Sequence, residues 1–380
     1  MRFGWMVAVG LLAAVHPAMA AGDRPGQRFE VSPDKLPAPY ATPSTGNSSS
    51  RIRRPAGAVL QVPAGFKVNV FADHLSHARW MTVASNGDVL LAEPRDGKVT
   101  LLRDSNGDGR ADLVTTFAEG FDRPHGLAIH GDYLYVGDVR EVYRVPYKVG
   151  ETKAGGKQEL VGVEGELGSG GGHWTRNIVF SPDGKHFYVT VGSASNIDVE
   201  RPPRATVQEF KANGTGQRTF ASGLRNPVGI AFYPGTDDLY VVVNERDGLG
   251  DHLVPDYLTR LQEGGFYGWP YFYIGNHPQP DYAERAPEQD KKVIVPDLLF
   301  ESHSAPLGLV FYDAAQFPAA YRGGAFVALH GSWNAAKPTG YKVVFVPFKD
   351  RRPAGYYENF ATGFWASGTK RAQEPVAKFS

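Results

Sequence analysis

MTVASNGDVLLAEPRDGKVTLLRD, residues Met81–Asp104, alternates apolar and polar positions, turns through Asn-Gly-Asp, and alternates again. That is a strand–turn–strand pattern of period two, with no helical period running through it. The pattern returns in GLAIHGDYLYVGDVREVYRV from Gly126 and in NIVFSPDGKHFYVTVGS from Asn177. It returns again in GIAFYPGTDDLYVVVNE from Gly229 and GLVFYDAAQFPAAYRGGAFVALHG from Gly308. The first three steps are about 45 to 52 residues, the spacing of four-stranded propeller blades. The fourth step is longer, which predicts a loop inserted from about Asp247 to Pro296. The reading is therefore an all-β propeller, with an ordinary β-sandwich as the competing fold. In a propeller, loops at one end of a central channel carry the functional groups, so the polar residues just before each repeat are the ones to inspect.

Outside the repeats, Arg2 precedes an apolar run from Phe3 to Val15, and Ala18-Met19-Ala20 has the small-x-small form of a cleavage site. Residues 1–20 read as an export signal, too short to span a bilayer comfortably, and no later run is comparable. The mature chain is expected to be periplasmic or secreted, with no membrane span after cleavage. Residues 21–58 are rich in Pro, Ser, Gly and Arg and read as a flexible or surface-draped leader. Residues 59–380 are left for the propeller.

The 380-residue chain has 40 Lys plus Arg and 40 Asp plus Glu, a formal net charge of zero. That gives no electrostatic case for nucleic acid or acidic lipid. It has no cysteine, which excludes disulfides, thiolate metal sites and cysteine nucleophiles. Its 45 Gly, 28 Pro and 12% aromatic residues suit short strands joined by tight turns.

Three loops carry candidate chemistry. Gly170-Gly171-Gly172-His173-Trp174 precedes the repeat at Asn177. Glycines admit close backbone approach, and His173 reads equally as a general base or as a surface histidine. Gly223-Leu224-Arg225-Asn226-Pro227 precedes the next repeat, where Arg225 either grips a carboxylate or carbonyl or bridges two blades. Asn244 to His252 interleaves Glu245, Asp247 and Asp251 with Gly248 and Gly250. That is either an oxygen-rich cradle for a hard cation such as Ca²⁺ or a solvated turn. Asp104 to Asp112 is a second candidate cation loop. Thr115 stands where a calcium hand needs Glu, and a plain Asp/Gly turn is the alternative.

Taken together, GLRNPVGIAF (Gly223–Phe232), VVNERDGLGD (Val242–Asp251), PDYLTRLQEGGFYGWPY (Pro255–Tyr271), the stretch His303–Asn334 and GYKVVFVPF (Gly340–Phe348) resemble the glucose/sorbosone dehydrogenase family. The similarity is greatest to its sorbosone-dehydrogenase-like branch and runs from about Val59 to Phe364. The family consists of exported sugar dehydrogenases dependent on pyrroloquinoline quinone (PQQ), built as six-bladed propellers of the soluble quinoprotein glucose dehydrogenase type. The resemblance implies that His173 is the base removing the sugar hydroxyl proton while hydride passes to the quinone. It implies that Arg225 and Asn226 hold the cofactor, with Lys342 as a further anchor for its carboxylates. It also implies Ca²⁺ at Asp247, Gly248 and Asp251, and an external electron acceptor such as a periplasmic cytochrome. His303, His330, Trp333 and Asn334 are possible substrate-mouth residues, more often packing residues. Two departures stand out. Asp247-Gly248 replaces the Gly-Pro of the better-known soluble glucose dehydrogenases. Ser193 stands where those enzymes have an acid after the strand, so no charge there orients the base.

Five repeats are visible and the family needs a sixth. Glu374-Pro375-Val376 looks like its first step, after which no strand is expected. The early strand near Phe66–Phe71, which closes the ring in the family, would then lack its partner. The expected architecture is thus a six-bladed propeller with its last blade truncated. The leading function is PQQ- and calcium-dependent oxidation of an aldose or related sugar. The alternatives are a metal-dependent propeller hydrolase of lactonase type, needing carboxylates that converge on the axis, and a non-catalytic sugar-binding propeller.

Overall fold

The computed structural model describes residues 23–55, 57–163, 165–286, 292–365 and 376–379. Each repeat forms one antiparallel sheet, and the sheets follow one another as propeller blades. The first blade comprises Met81–Val83, Val89–Glu93, Lys98–Arg103 and Leu113–Glu119. The second comprises Gly126–His130, Tyr133–Gly137, Val142–Pro146 and Glu159–Val161. The third comprises Ile178–Phe180, His186–Val191, Thr206–Lys211 and Arg218–Ser222. The fourth comprises Asn226–Phe232, Leu239–Asn244, Pro255–Arg260 and Leu298–Ser302. The fifth comprises Pro306–Phe311, Ala325–Leu329, Lys342–Val346 and Tyr357–Ala361.

A blade is covered on both faces, so its middle strands lose the alternation of a half-exposed strand. Leu239 to Val243 is buried at every position. The buried apolar clusters fill the four interfaces between consecutive blades. Leu90, Phe117 and Val136 join the first two blades. Tyr135, Phe187 and Val189 join the second and third. Val207, Ile230 and Tyr257 join the third and fourth. Tyr240, Phe300 and Val327 join the fourth and fifth. Each such side chain, fully buried, contributes about 1.5–3 kcal/mol. Among the described residues no such cluster joins the fifth blade to the first. A cavity of about 1110 Å³ lies between the fifth blade, the leader near Arg51 and the segment 70–79 that precedes the first blade.

The predicted loop from Asp247 to Pro296 needs correction. It contains Pro255–Arg260, the buried third strand of the fourth blade, which pairs with Leu239–Asn244. It also sends Gly265–Phe266 to the edge of the third blade, in parallel with Arg218–Ser222. The period was obscured because the chain leaves one blade for its neighbour and returns.

The leader lies along the propeller. Arg28–Phe29 adds a fifth strand outside Tyr357–Ala361. The reading that no strand follows Glu374-Pro375 is also corrected. Val376–Phe379 forms one, paired in parallel with Ser49–Ile52 of the leader. Phe66–Phe71 forms no strand, and Phe66 packs edge-on against Phe317, Tyr321 and Phe360 of the fifth-blade region. The proposed export signal, and Glu374 and Pro375 themselves, lie outside the described residues. Among the described residues no helix is long and apolar enough to cross a membrane.

Candidate active site

His173 stands in the loop before the third blade's first strand, and the end of that blade's second strand holds it. Gly172 has φ +65, and a Cβ there would stand 2.2 Å from the Ala194 carbonyl oxygen, so only glycine lets the loop lie this close. The His173 amide donates to the Ser193 carbonyl at 2.9 Å. Its Nδ1 is 3.0 Å from that carbonyl and 3.0 Å from Ser193 Oγ. A carbonyl can only accept, and Ser193 Oγ gives its own proton to the Ser195 carbonyl at 2.6 Å. Nδ1 therefore carries the ring proton, and the lone pair of the neutral imidazole sits on Nε2. Burial first, then the Arg225 charge, pull the His173 pKa down to about 4. The ring is neutral at pH 7, the form a general base needs.

Two guanidinium groups brace this loop from behind. Arg176 is wholly buried and donates to the carbonyls of His173 and Thr175, each at 2.9 Å, and of Leu167 at 3.3 Å. Arg204 reaches the carbonyls of Ser169 and Gly192. Neither arginine was singled out from the sequence.

Ser193 also joins His173 to the next blade, because its amide donates to the Arg225 carbonyl at 2.7 Å. The Arg225 guanidinium is 6% exposed and almost fully committed. It donates to Asn196 O at 2.9 Å, Asn196 Oδ1 at 2.8 Å and Glu245 O at 2.7 Å. It lies 3.5 Å from Asp247 Oδ2. Asn226 is buried beside it, and its Oδ1 has no hydrogen-bond partner. A Cβ at Gly192 would meet Asn226 Oδ1 at 2.4 Å and His173 Cβ at 2.6 Å. His173, Arg225 and Asn226 are thus one constellation around Gly192 and Ser193.

Asp247 closes the group on its far side. Its Oδ1 accepts from Asn334 Nδ2 at 2.6 Å and lies 3.3 Å from His303 Nδ1. His303 Nε2 is 3.1 Å from the Gly250 carbonyl. Burial opposes both charges, yet their pairing prevails: His303 is raised and Asp247 is lowered from their ordinary values. Asn196 was missed in the sequence reading. It accepts from the Asp247 amide at 2.9 Å as well as from Arg225, and nothing in its flanking residues distinguishes it from a loop asparagine. Glu245, wholly buried, has its carboxyl pushed up to about 7, by burial above all.

The metal set does not fit. The Asp247 carbonyl already accepts from Asn196 Nδ2 and Arg246 Nε, both at 3.0 Å. Asp251 turns to the leader instead, accepting from Thr45 N at 3.0 Å, Thr45 Oγ1 at 3.2 Å and Ala336 N at 3.1 Å. A hard cation needs converging oxygens, and nitrogen donors occupy these. Among the described residues no three His, Cys, Asp or Glu side chains are grouped to hold a metal. Glu245, Asp247 and Asp251 accordingly do not converge as the hydrolase alternative requires. In the Asp104–Asp112 loop the carboxylates serve their own turn: Asp104 accepts from Gly107 N and Gly109 N, and Asp112 from Ser105. Lys342 also stands apart. Its ammonium lies 3.1 Å from Asp23, 3.5 Å from Glu301 and 4.1 Å from the Phe29 ring centroid, so the leader and the fourth blade use it.

A family model described as TrAA12-like matches residues 60–255 and 278–362. An uncharacterized protein of Borreliella burgdorferi is 26% identical over 333 residues, covering 83% of this chain and 84% of that one. A pyrroloquinoline quinone-dependent pyranose dehydrogenase of Coprinopsis cinerea is 26% identical over 369 residues. That alignment covers 84% of this chain but 48% of the relative, so the chain spans about half its length. Among solved structures, the holo PQQ domain of the Coprinopsis cinerea pyranose dehydrogenase superposes with TM-score 0.69 at 21% identity, covering 86% of this chain and 91% of that one. A calcium structure of a Trichoderma reesei enzyme of carbohydrate-active family AA12 gives 0.64 at 21% identity, covering 86% and 88%. At these identities the superpositions establish the propeller fold.

Proposed function

Because this chain belongs to the TrAA12-like family, within the range of PQQ-dependent soluble sugar dehydrogenases, we propose that it oxidises a hydroxyl-bearing carbon of a sugar with PQQ as its cofactor. The observation that carries the reading is the His173 ring, buried and neutral, with Nδ1 tied to Ser193 and Nε2 left as a base. PQQ, when bound, supplies the two-electron acceptor that no side chain here can be. The orphaned Oδ1 of Asn226 is the buried polar atom that a cofactor would satisfy, and Arg225 sets the positive field next to it.

His173 Nε2 would take the proton of the sugar hydroxyl as the carbon is oxidised. Arg176 and Arg204 keep its loop from moving, and the Asp247–His303 pair holds Arg225 from the opposite side. Calcium is left out, because the Asp247 and Asp251 oxygens expected to bind it already accept hydrogen bonds. Reoxidation calls for an external one-electron or dye acceptor, a periplasmic cytochrome being one candidate. Residues 1–20 would direct the chain out of the cytoplasm, where such an acceptor is available.

The test is sugar-dependent dye reduction by purified protein given PQQ, with His173→Ala in parallel. Wild type should turn over an aldose only with PQQ, and the variant should lose about 10²- to 10⁴-fold in rate. Equal rates for the two proteins would remove the base from the reading. Sugar binding without any turnover would favour the non-catalytic propeller.

A further inference from the structure

The turn Ala194-Ser195-Asn196 leaves the end of the third blade's second strand and belongs to no strand itself. Ala194 and Asn196 are exposed, yet the turn meets the partners of His173 and of Arg225. The Ser193 carbonyl that takes the His173 Nδ1 proton shares its peptide unit with the Ala194 amide. The next peptide unit joins the Ala194 carbonyl, which lies against Gly172, to the Ser195 amide. After it, Asn196 receives Arg225 through its carbonyl at 2.9 Å and its Oδ1 at 2.8 Å, and its Oδ1 also accepts from the Asp247 amide at 2.9 Å.

Glu200 holds both peptide units. Its Oε2 accepts from the Ala194 amide at 2.7 Å, and its Oε1 from the Ser195 amide at 2.8 Å and the Ser195 hydroxyl at 2.6 Å. Such charge-assisted bonds are stronger than neutral ones. A peptide unit is planar, so fixing its N–H also fixes the direction of its C=O. The Ser193–Ala194 peptide therefore stands between an acid and the imidazole, with its N–H on Glu200 and its C=O on His173. Both partners of Nδ1 belong to Ser193, so no acid touches the ring nitrogen directly. The Glu200 charge also favours Arg204, which donates to the Gly192 carbonyl at 3.3 Å.

We infer that Glu200 is a positioning residue, an acid that orients His173 through the Ser193–Ala194 peptide and sets the turn that carries Asn196. The inference rests on the dehydrogenase reading for its effect on turnover, and on the loop geometry alone for its effect on the ring. Glu200→Ala removes all three acceptor contacts, and Glu200→Gln keeps one acceptor oxygen. Asp183→Ala is the reference. Asp183 is an exposed acid in the hairpin at the far end of the same blade, and it too accepts from a hydroxyl and an amide, those of Ser181 at 2.7 Å and Lys185 at 3.1 Å.

The first readout is nitrogen-15 NMR of the imidazoles in cofactor-free protein at pH 7. His173 should show one tautomer, protonated on Nδ1, in wild type and Asp183→Ala, and a mixture of tautomers in Glu200→Ala. The second is sugar-dependent dye reduction with PQQ. Glu200→Ala should lose about ten- to a hundredfold in kcat while KM changes less than about threefold, and Glu200→Gln should fall between it and wild type. A Glu200→Ala protein with one tautomer, or with wild-type kcat, overturns the assignment. So does an Asp183→Ala protein that shares its losses. If wild type given PQQ does not turn over, the dehydrogenase reading falls, while the tautomer still decides on Glu200. Should Glu200→Ala not fold, Glu200→Gln carries both readouts: a partial loss supports the assignment, and none overturns it.

Discussion

At the scale of single residues, the tautomer of His173 is set by a main-chain carbonyl and not by an acid. Removing the Ser193 hydroxyl should therefore matter little. Ser193→Ala keeps the carbonyl at 3.0 Å and should change kcat/KM by less than about threefold, whereas His173→Ala abolishes the base. The pH dependence carries the same signature. Because the folded pKa is about 4 and the ordinary value 6.5, activity should persist through pH 6 and fall only as His173 protonates near 4. Stability has the same sign. The unfolded chain binds the extra proton between pH 6.5 and 4, so the contribution present above 6.5 is lost as pH falls through that window. Melting curves of wild type and His173→Asn over this range should converge toward acid. That the loops of His173, Arg225 and Asn226 were worth inspecting was legible in the sequence because they lead into repeats, whereas the roles expected of these residues came from the family resemblance and not from spacing. Asn196, Arg176 and Arg204 were not legible, because their roles consist of donating to or accepting from backbone groups that only the folded loops bring together. Asp251 misled for the opposite reason. An acid that follows a glycine-rich turn looks like a cation ligand, and the leader residue Thr45 that captures it lies far away in sequence.

At the scale of elements, the leader is tied to the site loops. Tyr40 N donates to Leu249 O, Gly250 N to Ser44 Oγ and Asn47 N to Trp333 O, at 2.8, 3.0 and 2.7 Å. Through the Gly250 carbonyl this clasp touches His303 and so Asp247. Asp251→Ala removes the acceptor of Thr45 and Ala336. It should make the leader more sensitive to limited proteolysis and raise KM severalfold with a smaller change in kcat. The calcium question belongs here as well. With hydrogen-bond donors on the Asp247 and Asp251 oxygens, millimolar Ca²⁺ or a chelator should shift the Tm of the cofactor-free protein by less than about 1 °C. A large calcium-dependent shift would show that the loop rearranges to bind. None of the leader's attachments could be read from composition, since a Pro- and Ser-rich segment looks unstructured until a strand edge and a row of loop amides accept it.

At the scale of the whole molecule, stability resides in the interfaces between blades. Phe187 is fully buried between the second and third blades and stacks on Phe210 at 4.9 Å. Phe187→Ala should cost about 3–5 kcal/mol, read as a fall in denaturant midpoint, while leaving the His173 loop chemistry intact in the surviving folded fraction. The repeat spacing made the blades legible, because the period of a sheet packed on both sides is written into its apolar runs. The order of strands at the edges was not, since it depends on pairings between distant segments.

That edge arrangement bears on how the protein is made. Arg28 pairs with Glu358, so the outermost strand of the fifth blade is synthesised before any strand of the five repeats. On a ribosome or in a translocation pore, the first four blades can stack while this segment waits, and the seam is sewn only when Tyr357–Ala361 emerges. Until then the fifth sheet has an unguarded border, which makes the interval before sewing the period of greatest exposure to misassociation.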